Sequence, residues 1–147
     1  MRLARDKAHA IAITEPEALI IGSDQLACCN DTVLGKPGSH EKATKQLQSM
    51  RGQTLLFHTG LCLLNSKTGT ESIDCVEYEV QFRHFSDDEI ERYLLTELPY
   101  NCAGSFKSEQ LGISLLESMQ GSDPTALIGL PLIKLAQMLR IEGTKIP

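Results

Sequence analysis

Several features are missing from this sequence, and each absence removes a class of function. No apolar run approaches the roughly 18 residues that a membrane-crossing helix needs. The opening Met1-Arg2-Leu3 leads straight into helix-like sequence and carries no secretion signal, so a cytoplasmic protein is expected. Positive charge is not in excess: the formal net charge of −5 gives no bulk attraction to a nucleic-acid polymer. A small anionic ligand is still allowed, because it needs only a few local cations. Cys28, Cys29, Cys62, Cys75 and Cys102 form no CxxC pair, are odd in number and have no histidine cluster beside them. Neither a zinc site nor a disulfide framework is therefore expected. Gly-x-Gly-x-x-Gly, Walker and Gly-x-Ser-x-Gly loops are absent, which sets aside several common enzyme classes. There is no internal repeat, low-complexity tract or linker. The 147 residues, 41% of them hydrophobic and 22% charged, read as one soluble domain spanning 1–147.

What is present alternates between helical and extended patterns. Leu3, Ala4, Ala8, Ile11 and Ala12 make one face of a helix over residues 2–13, which Glu15-Pro16-Glu17 breaks. Ala18-Leu19-Ile20-Ile21 is a short continuous apolar run, the pattern of a strand buried on both faces, and it stops at Gly22-Ser23-Asp24-Gln25. An extended segment then leads to Gly35-Lys36-Pro37. Ser39 reads as the N-cap of a helix with Ala43, Leu47 and Met50 inward, closed by Gly52. Two strands follow, joined by a hairpin at Asn65-Ser66-Lys67-Thr68-Gly69. Ser86-Asp87-Asp88-Glu89 is a capping box for a helix that Pro99 ends. Leu111 to Glu117 reads as another strand, and the final helix restarts at Pro131 and closes at Gly143. Helices interleaved with strands predict an α/β fold with a mixed sheet.

Asp24 is the most informative position for chemistry. It stands where an apolar strand ends, and open α/β sheets bind ligands beyond the carboxyl ends of their strands. A carboxylate there could orient an attacking water or hold a divalent metal; equally it could cap a turn. Lys36, between Gly35 and Pro37, is presented from a restricted loop and could neutralise a phosphate, or simply be an exposed lysine. Lys7 on the first helix could point into the same cleft. Ser105-Phe106-Lys107-Ser108-Glu109 puts a ring and a carboxylate in one loop, which suits a base carrying positive charge. The other reading of that loop is an inward anchoring Phe. His58, in an apolar stretch, reads as a hydrogen-bonded sheet residue.

Five stretches in order resemble the Maf family of nucleoside triphosphate pyrophosphatases. They are Leu19-Ile20-Ile21-Gly22-Ser23-Asp24-Gln25, Gly35-Lys36-Pro37, Arg51-Gly52 with His58-Thr59-Gly60, Cys102 to Glu109, and Gly129-Leu130-Pro131-Leu132. Each is weak alone; together they run from near residue 2 to about residue 143. Ser-Asp-Gln at the strand end and Ser-Phe-Lys-Ser-Glu later resemble the branch that prefers 7-methyl-GTP. The resemblance implies a single Maf-like (inosine triphosphatase-like) domain with a mixed twisted sheet flanked by helices.

It further implies attack of water at the α-phosphorus of a nucleotide, with Asp24 as general base and metal ligand. Lys7 and Lys36 would contact phosphate, and Gln25 and Glu109 would choose the base. A magnesium or manganese ion is the implied cofactor, and a homodimer with no membrane or nucleic-acid partner the implied state. Family members begin with a strand, a Ser-x-Ser-Pro-type loop bearing arginine, and an acidic segment. None of these stands here, so a shortened chain lacking the first strand and phosphate loop is expected. The alternative kept beside the enzyme is a catalytically impaired nucleotide-binding or interaction protein of the same family, linked to cell-division control.

Overall fold

A computed structural model describes residues 1–147. In chain order the elements are α1 (Arg2–Ala12), β1 (Leu19–Cys29), β2 (Thr32–Leu34), α2 (His40–Met50), β3 (Thr54–Asn65) and β4 (Thr70–Phe82). There follow α3 (Asp87–Glu97), 3-10 turns at Ala103–Ser105 and Leu111–Leu115, β5 (Leu116–Gly121), α4 (Thr125–Ile128) and α5 (Leu132–Ile141). The strands form one sheet in the order β2-β1-β3-β4-β5. No helix is long and apolar enough to cross a membrane.

The α/β class holds, but the expected mixed sheet is corrected to an antiparallel one. β1 pairs β2 and β4 pairs β5 antiparallel. β3 runs into β4 through the turn that follows Asn65, where the Gly69 amide donates to the Asn65 carbonyl at 2.8 Å. β1 and β3 are also opposed: Ser66 N reaches Ala18 O at one end, while Ser23 Oγ reaches Gly60 O further along β1 and earlier in β3. Hairpin turns this short join only antiparallel neighbours, since a parallel pair needs a crossover of a dozen residues or more.

The chain divides into two compact units. The first comprises Met1–Gln25, His58–Glu77 and Ser122–Pro147. Its core is organised by the run Leu61-Cys62-Leu63-Leu64 in β3, which alternates between two covered faces. Cys62 and Leu64 pack with Ile20 of β1 and with Ala4 and Ala8 of α1. Leu61 and Leu63 pack with Leu135 and Met138 of α5. β3 is thus a strand buried on both faces. In β1 only Ile20 of the apolar run is buried, Leu19 and Ile21 staying 38% and 44% exposed. A four-residue apolar run does not by itself separate the two situations.

α1 lies unusually close to β1. A Cβ built on Gly22 would sit 2.1 Å from the Ala4 carbonyl oxygen and 3.0 Å from the Ala8 amide. Small residues on the facing side, Ala4 and Ala8, are both fully buried. The glycine and the two alanines together let helix backbone meet strand backbone directly.

The second unit comprises Leu26–Phe57 and Tyr78–Gly121. Here Asn30 and Asp31 turn β1 into β2, both with positive φ (46° and 62°), as a two-residue hairpin requires. Ser39 caps α2 as expected, accepting from the Lys42 amide, and Gly52 follows its end with φ 69°. The capping box of α3 is formed in both directions between Ser86 and Glu89. Arg83 first, and the Ser86 amide second, hold the Glu89 carboxyl down from its ordinary 4.5 to about 2. Phe106 is buried against Phe82 (ring centroids 5.2 Å apart) and Phe57 (6.3 Å). The strand expected from Leu111 begins only at Leu116. Gly112 is wedged against Phe106 and the Lys107 carbonyl, which winds residues 111–115 into a 3-10 turn instead.

Gly22→Ala tests the close approach in the first unit. The added methyl meets backbone, which cannot rotate away, so a loss of about 2–3 kcal/mol in urea unfolding is expected. Gly35→Ala, with nothing within 4 Å of its Cβ, is expected to leave stability unchanged. Equal stability of the two variants would contradict this packing.

Candidate active site

Alternation along β1 sorts the residues Gly22-Ser23-Asp24-Gln25 onto two faces. Ile20, Gly22 and Asp24 face α1. Because α1 sits close at Gly22, the turn between Ala4 and Ala8 brings Lys7 over Asp24: Nζ lies 2.7 Å from Oδ1 and donates also to the Ser23 carbonyl at 3.0 Å. The pair is half open to solvent, with side-chain exposures of 57% for Lys7 and 30% for Asp24. Ion pairs this exposed contribute at most about 1 kcal/mol to stability, so the fold does not depend on it. A carboxylate and an ammonium at a solvent-accessible strand segment are groups a substrate can reach.

Ser23 and Gln25 point the other way and serve the scaffold. Ser23 Oγ lies 3.0 Å from the Gly60 carbonyl and 2.7 Å from that of Gly129. Gln25 Nε2 donates to the Ala126 carbonyl at 2.8 Å and to the Leu127 carbonyl at 3.0 Å. Two carbonyl acceptors fix the amide's orientation. Thr59, fully buried, donates to the same Ala126 carbonyl at 2.8 Å. Along this stretch Asp24 faces Lys7, while its flanking side chains tie β1 and β3 to α4.

Three residues unmarked in the sequence analysis complete this scaffold. Asp123, 2% exposed, accepts from the Thr125 amide at 3.0 Å and the Ile133 amide at 2.8 Å, tying together the first turns of α4 and α5. Thr125 Oγ1 accepts from the Leu132 amide at 2.8 Å. Asp74 pairs with Lys134 at 2.7 Å, and that hydrogen bond is the first cause holding its carboxyl below the usual range. The pattern Asp-Pro-Thr ahead of a helix is a capping signal that could have been read. His58 lies in β3 with Nδ1 3.2 Å from Glu77 Oε1, a sheet residue as expected.

In the second unit, Lys36 and Glu109 are both exposed. Burial raises the Cys102 thiol, and Lys107, Glu109 and Lys36 all lie near enough to act on it electrostatically. The Gly35-Lys36-Pro37 and Ser105–Glu109 loops therefore share one neighbourhood. Within the latter loop, Phe106 is buried and Lys107 is clipped to Glu97, whose side chain is only 6% exposed, at 3.3 Å. The ring is not free to lie over a base, so the anchoring reading of Phe106 is the right one. Glu109 lies exposed, with Ser108 Oγ 3.4 Å from its carboxylate.

No group of three or more His, Cys, Asp or Glu side chains converges to hold a metal. Asp24 offers one carboxylate, already facing Lys7. The chain alone thus builds no complete metal site, and a divalent ion would have to take most of its shell from phosphate oxygens and water, as magnesium commonly does.

A family model described as Maf-like protein matches residues 1–142. The chain belongs to the Maf family. Among curated relatives, a protein of Aromatoleum aromaticum named 7-methyl-GTP pyrophosphatase is 54% identical over 146 residues, covering 99% of this chain and 75% of the relative. Its namesake in Alcanivorax borkumensis is 52% identical over 147 residues, covering 100% and 75%. Another, in Cupriavidus metallidurans, is 54% identical over 143 residues, covering 97% and 72%. All five stretches that carried the Maf resemblance lie inside the matched span.

Gln25→Leu separates scaffold from substrate recognition. It leaves the Ala126 and Leu127 carbonyls short of a donor, so a loss of about 1–3 kcal/mol in urea unfolding is expected. Unchanged stability would mean that the amide is held for a ligand and not for α4.

Proposed function

We propose that this protein is a nucleotide pyrophosphatase that hydrolyses 7-methyl-GTP to the nucleoside monophosphate and pyrophosphate. The observation that carries the reading is the Lys7–Asp24 pair, on a β1 segment open to solvent. It stands in a chain more than half identical, along nearly its whole length, to proteins named for that reaction. We take residues 1–147 as one Maf-like domain. No observation favours the alternative of an impaired binding or cell-division protein.

In the proposed reaction, Asp24 accepts a proton from water as its oxygen bonds to the α-phosphorus. The bond from that phosphorus to the bridging oxygen breaks, and pyrophosphate leaves. Lys7 donates to Asp24 in the free protein and would transfer a hydrogen bond to phosphate oxygen in the complex, freeing the carboxylate as base at the moment it is needed. Lys36 is assigned a second phosphate contact. Glu109 is assigned the base: methylation at N7 makes guanine cationic, and an exposed carboxylate attracts it more than the neutral parent. With Phe106 buried, charge rather than stacking supports this selection. Gln25 is assigned a part in base choice through its carbonyl oxygen, its amide nitrogen being committed to α4. Magnesium or manganese, arriving on the triphosphate with Asp24 as its one protein ligand, would offset phosphate charge. A cytoplasmic, homodimeric protein without membrane or nucleic-acid partners completes the reading, supported by the net charge of −5 and the partly open edge of β1, which β2 pairs only at Ala27–Cys29.

Pyrophosphate release from 7-methyl-GTP is the test. Wild-type turnover is expected to fall by about 10²–10⁴ in Asp24→Asn, which keeps shape and removes the base. Glu109→Gln is expected to keep turnover but to lower preference for 7-methyl-GTP over GTP by about tenfold. Turnover surviving intact in Asp24→Asn would remove Asp24 from the chemistry.

A further inference from the structure

We propose that Gln46 is a positioning residue that holds the Lys36 loop and the Glu109 loop in one register, and so sets how sharply the enzyme distinguishes 7-methyl-GTP from GTP. The proposal rests on the roles assigned above to Lys36 and Glu109.

Gln46 stands on α2, half-buried, and spends both ends of its amide on these loops. Nε2 donates to the Gly35 carbonyl at 3.1 Å, and Oε1 accepts from Ser105 Oγ at 2.6 Å. A carbonyl can only accept, so the nitrogen must face Gly35, and the oxygen is left for the serine hydroxyl. The Gly104 amide reaches the same Gly35 carbonyl at 3.4 Å. One acceptor next to Lys36 therefore takes donors from α2 and from the residue before Ser105.

Ser105 is the tense point of this arrangement. It is fully buried and has φ 55°, a left-handed conformation that a non-glycine residue adopts only when its surroundings impose it. Its side chain has one hydrogen-bond partner, Gln46. Immediately downstream, Phe106 is fixed in the core and Lys107 is held by Glu97. The path from Gln46 to Glu109 is thus stiff, and so is the shorter path from Gln46 through Gly35 to Lys36. Moving one loop moves the other. Beside the long Gly104–Gly35 backbone bond, the Gln46 amide is the side-chain link that joins the two loops.

Gln46→Leu keeps the volume and removes both bonds; Gln46→Glu keeps the acceptor toward Ser105 and loses the donor toward Gly35. For Gln46→Leu, KM for 7-methyl-GTP is expected to rise about tenfold with kcat within about twofold, and the preference over GTP to shrink. Gln46→Glu is expected to fall between Gln46→Leu and wild type. In a Glu109→Gln background, Gln46→Leu should no longer change the preference, because the group it positions is gone. An unchanged preference in folded Gln46→Leu, or the same loss with and without Glu109, would overturn the proposal.

Amide hydrogen exchange at Gly104 and Ser105 reads the link without turnover. Exchange there should quicken in Gln46→Leu while the β3 core stays protected; unchanged exchange would overturn the link itself. A wild-type chain that releases no pyrophosphate would instead sink the functional reading, with the exchange result still deciding whether Gln46 joins the loops.

Discussion

The direct contact of α1 with β1 at Gly22 is the constraint on which the proposed chemistry depends. A side chain there would meet helix backbone at 2.1 Å, so the helix can lie where it does only over a glycine. That spacing decides where Lys7 arrives. A helix standing off by the thickness of a methyl group would carry the Lys7 ammonium away from Asp24. A close contact whose disruption by a methyl is expected to cost about 2–3 kcal/mol thus positions an ion pair that itself contributes about 1 kcal/mol or less. The energetically minor interaction is the one a substrate would meet.

Around this pair the same short stretch of chain does two jobs. Asp24 faces α1, while Ser23 and Gln25 on the opposite side tie β1 and β3 to α4 through backbone carbonyls. A ligand pulling on Asp24 therefore pulls on a strand pinned from behind by Ser23, Gln25 and Thr59. In the second unit the division is similar. Phe106, Lys107 and Ser105 are spent on anchoring, and Lys36 and Glu109 are left exposed. Rigid anchors beside free charges are what preorganised recognition of a charged ligand needs.

Much of this was legible in the residues. Both caps, at Ser39 and Ser86, and the turn after Asn65 are local chemistry and stand where the pattern put them. The family was legible from five weak motifs in order. Other features were not. Sheet direction depends on which strands meet, and that is decided by packing beyond any one window. The 3-10 turn at Leu111–Leu115 comes from Gly112 lodging against Phe106, a tertiary contact that overrides a strand-like run. Phe106 offered two readings because an aromatic in a loop looks alike whether it points in or out. Gln46 gave no signal at all: a glutamine on a helix is ordinary until its partners at Gly35 and Ser105 are known.

The central claim is that Lys7 and Asp24 act as one unit, the lysine holding the carboxylate until a phosphate oxygen draws the lysine away. A double-mutant cycle on pyrophosphate release from 7-methyl-GTP, with Lys7→Met, Asp24→Asn and the double variant, tests it most directly. Coupling predicts that each single variant loses much of kcat and that the double variant is little worse than Asp24→Asn alone. Losses that simply multiply in the double variant would show two independent residues and would contradict the account.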